Sequence, residues 1–196
     1  MAATRPPADP LDVSREASLQ HWPEVLRARY LRNLQPAGVL IPVVERRNGL
    51  GILLTQRSAA LSQHAGQISF PGGRMEKGDA DVLATALRET HEEIGIPPDL
   101  VDIAGYLDPS PTISGYAVTP VVGFVAEGFK LRIDPEEVDF AFEVPLDFLL
   151  EAKNLRHSER VFEGHRIPVS EFVYDEHRIW GATASFLIAF AKIINN

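Results

Sequence analysis

Three carboxylates, Glu89, Glu92 and Glu93, stand at i, i+3 and i+4 in the run Leu83-Ala84-Thr85-Ala86-Leu87-Arg88-Glu89-Thr90-His91-Glu92-Glu93-Ile94-Gly95-Ile96. On a helix turning by ~100° per residue they share an arc of ~100°. Like charges at these spacings repel by ~0.2–0.5 kcal/mol per pair on an exposed helix. The run is therefore either an acidic, solvated face or a seat for a cation, because hard divalent ions such as Mg²⁺ favour clustered oxygens and reverse the sign of the repulsion. Arg88 precedes the acidic face and reaches Glu92 at i+4. A second acidic pair, Glu136-Glu137, lies in a predicted loop before a strand and reads equally as a solvated turn or as the source of an outside base.

The flanking elements must position these groups. Gln67 to Phe70 reads as a short strand, and Pro71-Gly72-Gly73 as a tight turn that lets backbone approach closely. Arg74 to Asp81 is a polar loop in which Asp79 or Asp81 can cap the helix, and Gly95 followed by Pro97-Pro98 stops it. Upstream, Ala37–Glu45 and Leu50–Gln56 are expected strands, joined by Arg46-Arg47-Asn48-Gly49 as a hairpin. Downstream, Val101–Leu107, Ala117–Ala126 and Asp139–Val144 read as strands, with Asp108–Tyr116 a loop and Leu146–Leu150 a short helix. Arg166–Tyr174 and His177–Trp180 form a last hairpin through Asp175-Glu176, and Trp180 to Ile194 a buried C-terminal helix. Residues 1–10 read as a loose tail, and Arg15–Leu34 carries Leu19, Trp22, Val25, Leu26, Tyr30 and Leu34 near helical spacing. The chain thus divides into a tail and helix over 1–34 and one domain over 35–196. Strands with helices at intervals make an α/β (α+β) layered domain.

Composition narrows the function classes. No cysteine is present, which excludes disulfides, thiolate metal sites and a cysteine nucleophile. Nineteen basic against 27 acidic residues give −8, which argues against general binding of nucleic acid or anionic membrane. No stretch approaches the ~20 apolar residues of a membrane span, and the N-terminus lacks the basic and apolar regions of a signal peptide. The expectation is a cytoplasmic protein, monomer or homodimer. His64 offers a metal or base role or a loop-holding one, and the other five histidines show no ligand spacing, which argues against a zinc site.

Gly73 followed by Arg88-Glu89-Thr90-His91-Glu92-Glu93-Ile94-Gly95-Ile96 resembles the Nudix hydrolase box, a glycine, a spaced acid and R-E-x-x-E-E-x-G. The loop is one residue longer than the commonest form, so Asp79 stands in for the spaced acid in a structural role, and Thr90 takes a position usually aliphatic or alanine. Leu53-Leu54-Thr55-Gln56-Arg57-Ser58, Leu61, His64, Gly66-Gln67 and Phe70-Pro71-Gly72-Gly73 are similar to the signature of the coenzyme A pyrophosphatase branch, L-L-T-x-R-S-x-x-L-x-x-H-x-G-Q-x-x-F-P-G-G. The resemblance implies a Nudix-type α/β/α sandwich around a mixed β-sheet. It also implies hydrolysis of the diphosphate of coenzyme A, or of an acyl or oxidised form, with Mg²⁺ or Mn²⁺. Another diphosphate such as ADP-ribose or a dinucleotide, or a Nudix-fold ligand-binding regulator without catalysis, is the alternative.

The same match implies roles. Glu89 and Glu93 are the leading metal ligands, Glu92 a third ligand or a water-activating base, and the Gly73 carbonyl a further ligand. Arg88 orients the glutamates, and Glu137 is the candidate outside base. Arg57 suits bidentate contact with the diphosphate or the 3′-phosphate, supported by Ser58 and Gln67. Tyr116 is a candidate contact to adenine or the pantetheine arm. His64 reads as a residue holding its loop by hydrogen bonds, and Trp180 with the C-terminal phenylalanines as core.

Overall fold

Alternate residues of the first long strand are committed to opposite sides, and this decides the layering. A computed structural model describes residues 4–13 and 22–195. In chain order these contain α1 (Glu24–Tyr30), β1 (Gln35–Arg46), β2 (Gly49–Arg57), β3 (Ile68–Ser69), β4 (Gly72–Arg74) and α2 (Val82–Ile94). Then follow β5 (Val101–Tyr106), β6 (Ser110–Pro111), β7 (Tyr116–Val125), β8 (Val138–Pro145), α3 (Leu146–Leu150), β9 (Leu155–Phe162), β10 (His165–Tyr174), β11 (His177–Trp180) and α4 (Ala182–Ile194). Leu40 and Val44 of β1 face α2 with Ala86, Ile94 and Ile96, whereas Ile41 and Val43 face α4 with Phe186, Leu187 and Phe190. Such double-sided burial explains why β1 is apolar almost throughout and tolerates a parallel partner, β7. The expected mixed sheet between helical layers is therefore present.

β1 and β2 turn through Arg47-Asn48, with Arg46 opposite Gly49, whose φ of 117° calls for glycine. Their pairing runs only from the turn to Val43 and Ile52. Beyond that the strands splay, and the segment Ile68–Arg74 bridges the gap: β3 pairs with β2, and β4 pairs with β1. The N–H of Leu40 donates to the Pro71 carbonyl at 2.9 Å within this bridge. The other edges take β7, β5 and β6 beyond β1, and β8 beyond β2, giving an eight-stranded mixed sheet. β9, β10 and β11 form a separate antiparallel sheet.

The helix α2 starts at Asp81, whose carboxylate accepts from the Ala84 N–H at 2.9 Å, and ends at Gly95 in the left-handed region. It lies directly over Gly38 of β1, where a Cβ would collide with the Val82 carbonyl. The N-terminus of α4 is pinned to the bridge by Thr183, which donates to the Ile68 carbonyl at 3.0 Å.

Three strands were not expected. β9 (Leu-Arg-His-Ser-Glu-Arg-Val-Phe) is exposed along most of its length and has no apolar alternation to reveal it. β4 and β6 are too short to carry a period. Trp180, expected in the core, is only partly buried; the guanidinium groups of Arg160 and Arg178 lie over its ring at 4.6 and 5.7 Å. Of the expected Arg15–Leu34 helix, residues 14–21 lie outside the described residues, and α1 begins directly after Pro23.

Candidate active site

The pitch of α2 separates its three glutamates. Glu93 turns inward and keeps 2% exposure, whereas the Glu92 side chain stays 54% exposed. Glu93 is met there by the bridge: the Gly72 N–H donates to its Oε2 at 3.2 Å, and Arg57 Nη1 lies 3.5 Å from its Oε1. Glu89, one turn earlier, rests on Gly73; a Cβ there would fall 2.5 Å from Glu89 Oε1. A side chain at Gly73 would have to push the Glu89 carboxylate aside. Thr90 fits its unusual position by donating to the Ala86 carbonyl one turn back, at 2.6 Å.

Glu137 arrives from a distant segment. The Arg132 and Asp134 N–H groups donate to the Ile94 and Glu93 carbonyls, both at 2.9 Å, so the loop before β8 docks on the open end of α2. The Glu137 carbonyl then accepts from the Ser58 N–H at 2.8 Å. Next to it the β2–β8 register slips, with Gln56 opposite Phe140 but Arg57 opposite Val138. This bulge leaves Asp139 unpaired and brings Arg57 opposite Val138, the residue after Glu137. The outcome is one oxygen from each of Glu89, Glu93 and Glu137 within 4.8 Å of the others. An all-oxygen, carboxylate donor set of this kind fits a hard divalent ion such as Mg²⁺ or Mn²⁺.

The electrostatics agree. Burial pushes the Glu93 carboxyl up to about 8, against the pull of Arg57 and the Gly72 N–H, while Glu89 and Glu137 add to the rise. Burial also raises Glu89, with Arg88 opposing. A cation among the three oxygens would remove the cost of ionising them together.

Arg88 holds the frame. Its Nε and Nη2 bind the two oxygens of Asp79 at 3.0 Å each, and its Nη1 reaches Glu89 at 2.9 Å and Glu92 at 2.8 Å. A further bond runs from Nη2 to the Arg74 carbonyl at 3.3 Å. Asp79 also accepts from the Glu76 N–H and the Thr85 hydroxyl, and hydrogen bonding to Arg88 holds its carboxyl well below the usual range. The bidentate pair with Arg88 gives Asp79 the structural role expected of it and adds a partner that the spacing does not reveal.

Ser58 is 4% exposed, and its hydroxyl accepts from the Ala60 N–H, which makes it a turn residue beside the site. Gln67 pairs with His64 Nδ1 at 3.0 Å and accepts the Arg57 N–H on its carbonyl, so both residues shape the loop that presents Arg57. Tyr116 opens β7 opposite Gln35, three residues before Thr119, which lies beside Gly38; it packs partly against the core beneath α4. The structure brings together Arg57, Gly73, Arg88, Glu89, Glu93 and Glu137, with Glu92 on the solvent side of Arg88.

Residues 34–181 match the model of the NUDIX domain family. The chain is similar, at 43% identity over 157 residues, to the Escherichia coli O1:K1 protein called uncharacterized Nudix hydrolase NudL, covering 79% of this chain and 80% of that protein. The Shigella boydii serotype 18 protein of the same name matches to the same extent. Among solved structures, a Caenorhabditis elegans Ap4A hydrolase in a binary complex superposes with a TM-score of 0.51 at 17% identity, over 81% of this chain and 96% of that chain. At that identity the likeness concerns the fold alone. The glycine bridge, the carboxylate helix and the arginine frame all lie inside the matched span, and the chain belongs to the Nudix family.

Proposed function

We propose that this protein hydrolyses the diphosphate bond of coenzyme A, or of an acyl or oxidised derivative, to 3′,5′-ADP and 4′-phosphopantetheine or its derivative. The observation that carries the chemistry is the meeting of Glu89, Glu93 and Glu137 oxygens beside Gly73. The choice of coenzyme A rests on the run from Leu53 to Gly73, in which every fixed position of that branch's signature is matched.

In this reading Glu89, Glu93 and Glu137 hold Mg²⁺ or Mn²⁺, with the Gly73 carbonyl as a further ligand. When bound, the ion supplies charge neutralisation on the non-bridging phosphate oxygens and a lowered pKa for an attacking water. Arg88 keeps Glu89 and Glu92 in place through its anchor on Asp79. Glu92, outside the trio and open to solvent, accepts the water's proton. Arg57 contacts the substrate's phosphates, presented by the Ser58–Gln67 loop, and Tyr116 contacts the adenine or pantetheine portion. Residues 35–196 form the catalytic domain and act in the cytoplasm as a monomer or homodimer; among the described residues no helix is long and apolar enough to cross a membrane.

Incubation with Mg²⁺ and a panel of coenzyme A, acetyl-coenzyme A, ADP-ribose, NADH and diadenosine polyphosphates, with products resolved by mass, tests the proposal. Release of 3′,5′-ADP from coenzyme A, with little from the others, is expected. Turnover of only another member would keep the hydrolytic chemistry and overturn the substrate.

A further inference from the structure

The two arginines of the site are held in opposite ways. Arg88 places donors from all three of its nitrogens on five acceptors, at 2.8–3.3 Å. Arg57 is 26% exposed and faces the most buried carboxylate, Glu93, yet its approach is a loose 3.5 Å ion pair. Its Nε is buried and has no hydrogen-bond partner among the described residues. A buried guanidinium N–H without an acceptor is costly, and arginine in a permanent structural role saturates its fork, as Arg88 does. The backbone at Arg57, by contrast, is fixed: its N–H donates to the Gln67 carbonyl at 2.9 Å, its carbonyl accepts from Gly66 at 3.0 Å, and across the bulge it lies opposite Val138. The main chain is therefore rigid while the head group is under-bonded.

We infer that Arg57 is the counter-ion of the metal-free carboxylate cluster, and that it gives up Glu93 when a divalent ion binds, which frees its guanidinium for the substrate's phosphates. This rests on the metal-site reading above and adds an order to it: the ion loads first, and the phosphate-binding arginine becomes available as a consequence. The argument is one of charge. Glu93 is almost entirely removed from water, so its ionised form needs a positive neighbour. Arg57 is the cation paired with it in the described structure, and the carboxylate it faces is one of the three that converge. A guanidinium and a divalent ion cannot both neutralise that carboxylate at full strength, so each weakens the other's hold.

The test uses Mn²⁺ alone, without substrate, with binding read by electron paramagnetic resonance or calorimetry. Arg57→Gln removes the competitor and is expected to tighten Mn²⁺ binding by about tenfold, within the usual span of coupled ligands. Arg57→Lys keeps a charge there and is expected to stay near the wild type. Equal or weaker Mn²⁺ binding by Arg57→Gln would overturn the inference while leaving the metal site standing. Absence of saturable Mn²⁺ binding by the wild type would overturn the site and the inference together. Should Arg57→Gln fail to fold, the wild-type Arg57 Nε–Hε resonance, followed by NMR on adding Mg²⁺, decides the matter. A shift larger than that of the Arg88 resonance supports release, and an unmoved signal contradicts it.

Discussion

At the scale of single residues, the site is built from one tightly held pair and one under-compensated carboxylate. Asp79 receives the bidentate grip of Arg88, and its side chain is 6% exposed against 27% for the arginine. Asp79→Ala leaves Arg88 without its anchor; a loss of about 2 kcal/mol is expected in urea unfolding, below the ~3–5 kcal/mol for breaking a fully buried pair because Arg88 keeps contact with water. Activity should fall at least tenfold, since Glu89 and Glu92 lose their common support. Wild-type stability and rate in this variant would show that the frame is dispensable. Glu93 supplies a pH dependence of definite sign. Its carboxyl is raised from 4.5 to about 8 on folding, so between those values the folded protein holds a proton that the unfolded chain has released. Metal-free protein should therefore lose stability as pH rises through that window, by at most about 1.4 kcal/mol per pH unit for this proton. Unfolding in EDTA at pH 5, 6, 7 and 8 checks this, and Glu93→Gln should flatten the slope. An equal slope in both proteins would assign the proton elsewhere.

At the scale of elements, the position of the carboxylates depends on how closely α2 lies on β1. Gly38 permits that contact, and nothing in the local sequence around Ala37-Gly38-Val39 distinguishes it from any strand glycine. Gly38→Ala would drive a methyl into the Val82 carbonyl and force the helix outward. A destabilisation of about 1–3 kcal/mol is expected, as for overpacked cores, together with weaker metal binding because Glu89 and Glu93 move off the bridge. Thermal unfolding and Mn²⁺ titration measure both effects; an unchanged affinity would mean that the bridge follows the helix. The helix itself was legible from its cap, its stop and its period, as were β1, β2, β5, β7, β8, β10 and β11 from apolar patterning. β9 was not, because a polar strand exposed along its edge carries no period of burial.

At the scale of the whole molecule, the proposed metal site ties ion binding to stability. An ion that binds only the folded state stabilises it by RT ln(1 + [L]/Kd), about 2.7 kcal/mol at a hundredfold excess over Kd. The melting temperature should rise on adding Mg²⁺ or Mn²⁺, and this rise should vanish in Glu93→Gln; a rise of the same size in that variant would place the ion outside the trio. The chain by itself determined the helix, its three glutamates, the glycine turn and the family likeness, because a helical period and a tight turn are local and are written in adjacent residues. Only the tertiary structure decided which carboxylates meet. It turned Glu92 out to solvent and brought Glu137 in, through backbone bonds from Arg132 and Asp134 to the end of α2 and a bulge opposite Arg57. Those bonds join segments with no shared pattern, made by main-chain groups that every residue carries, so no reading of side-chain types can foresee them.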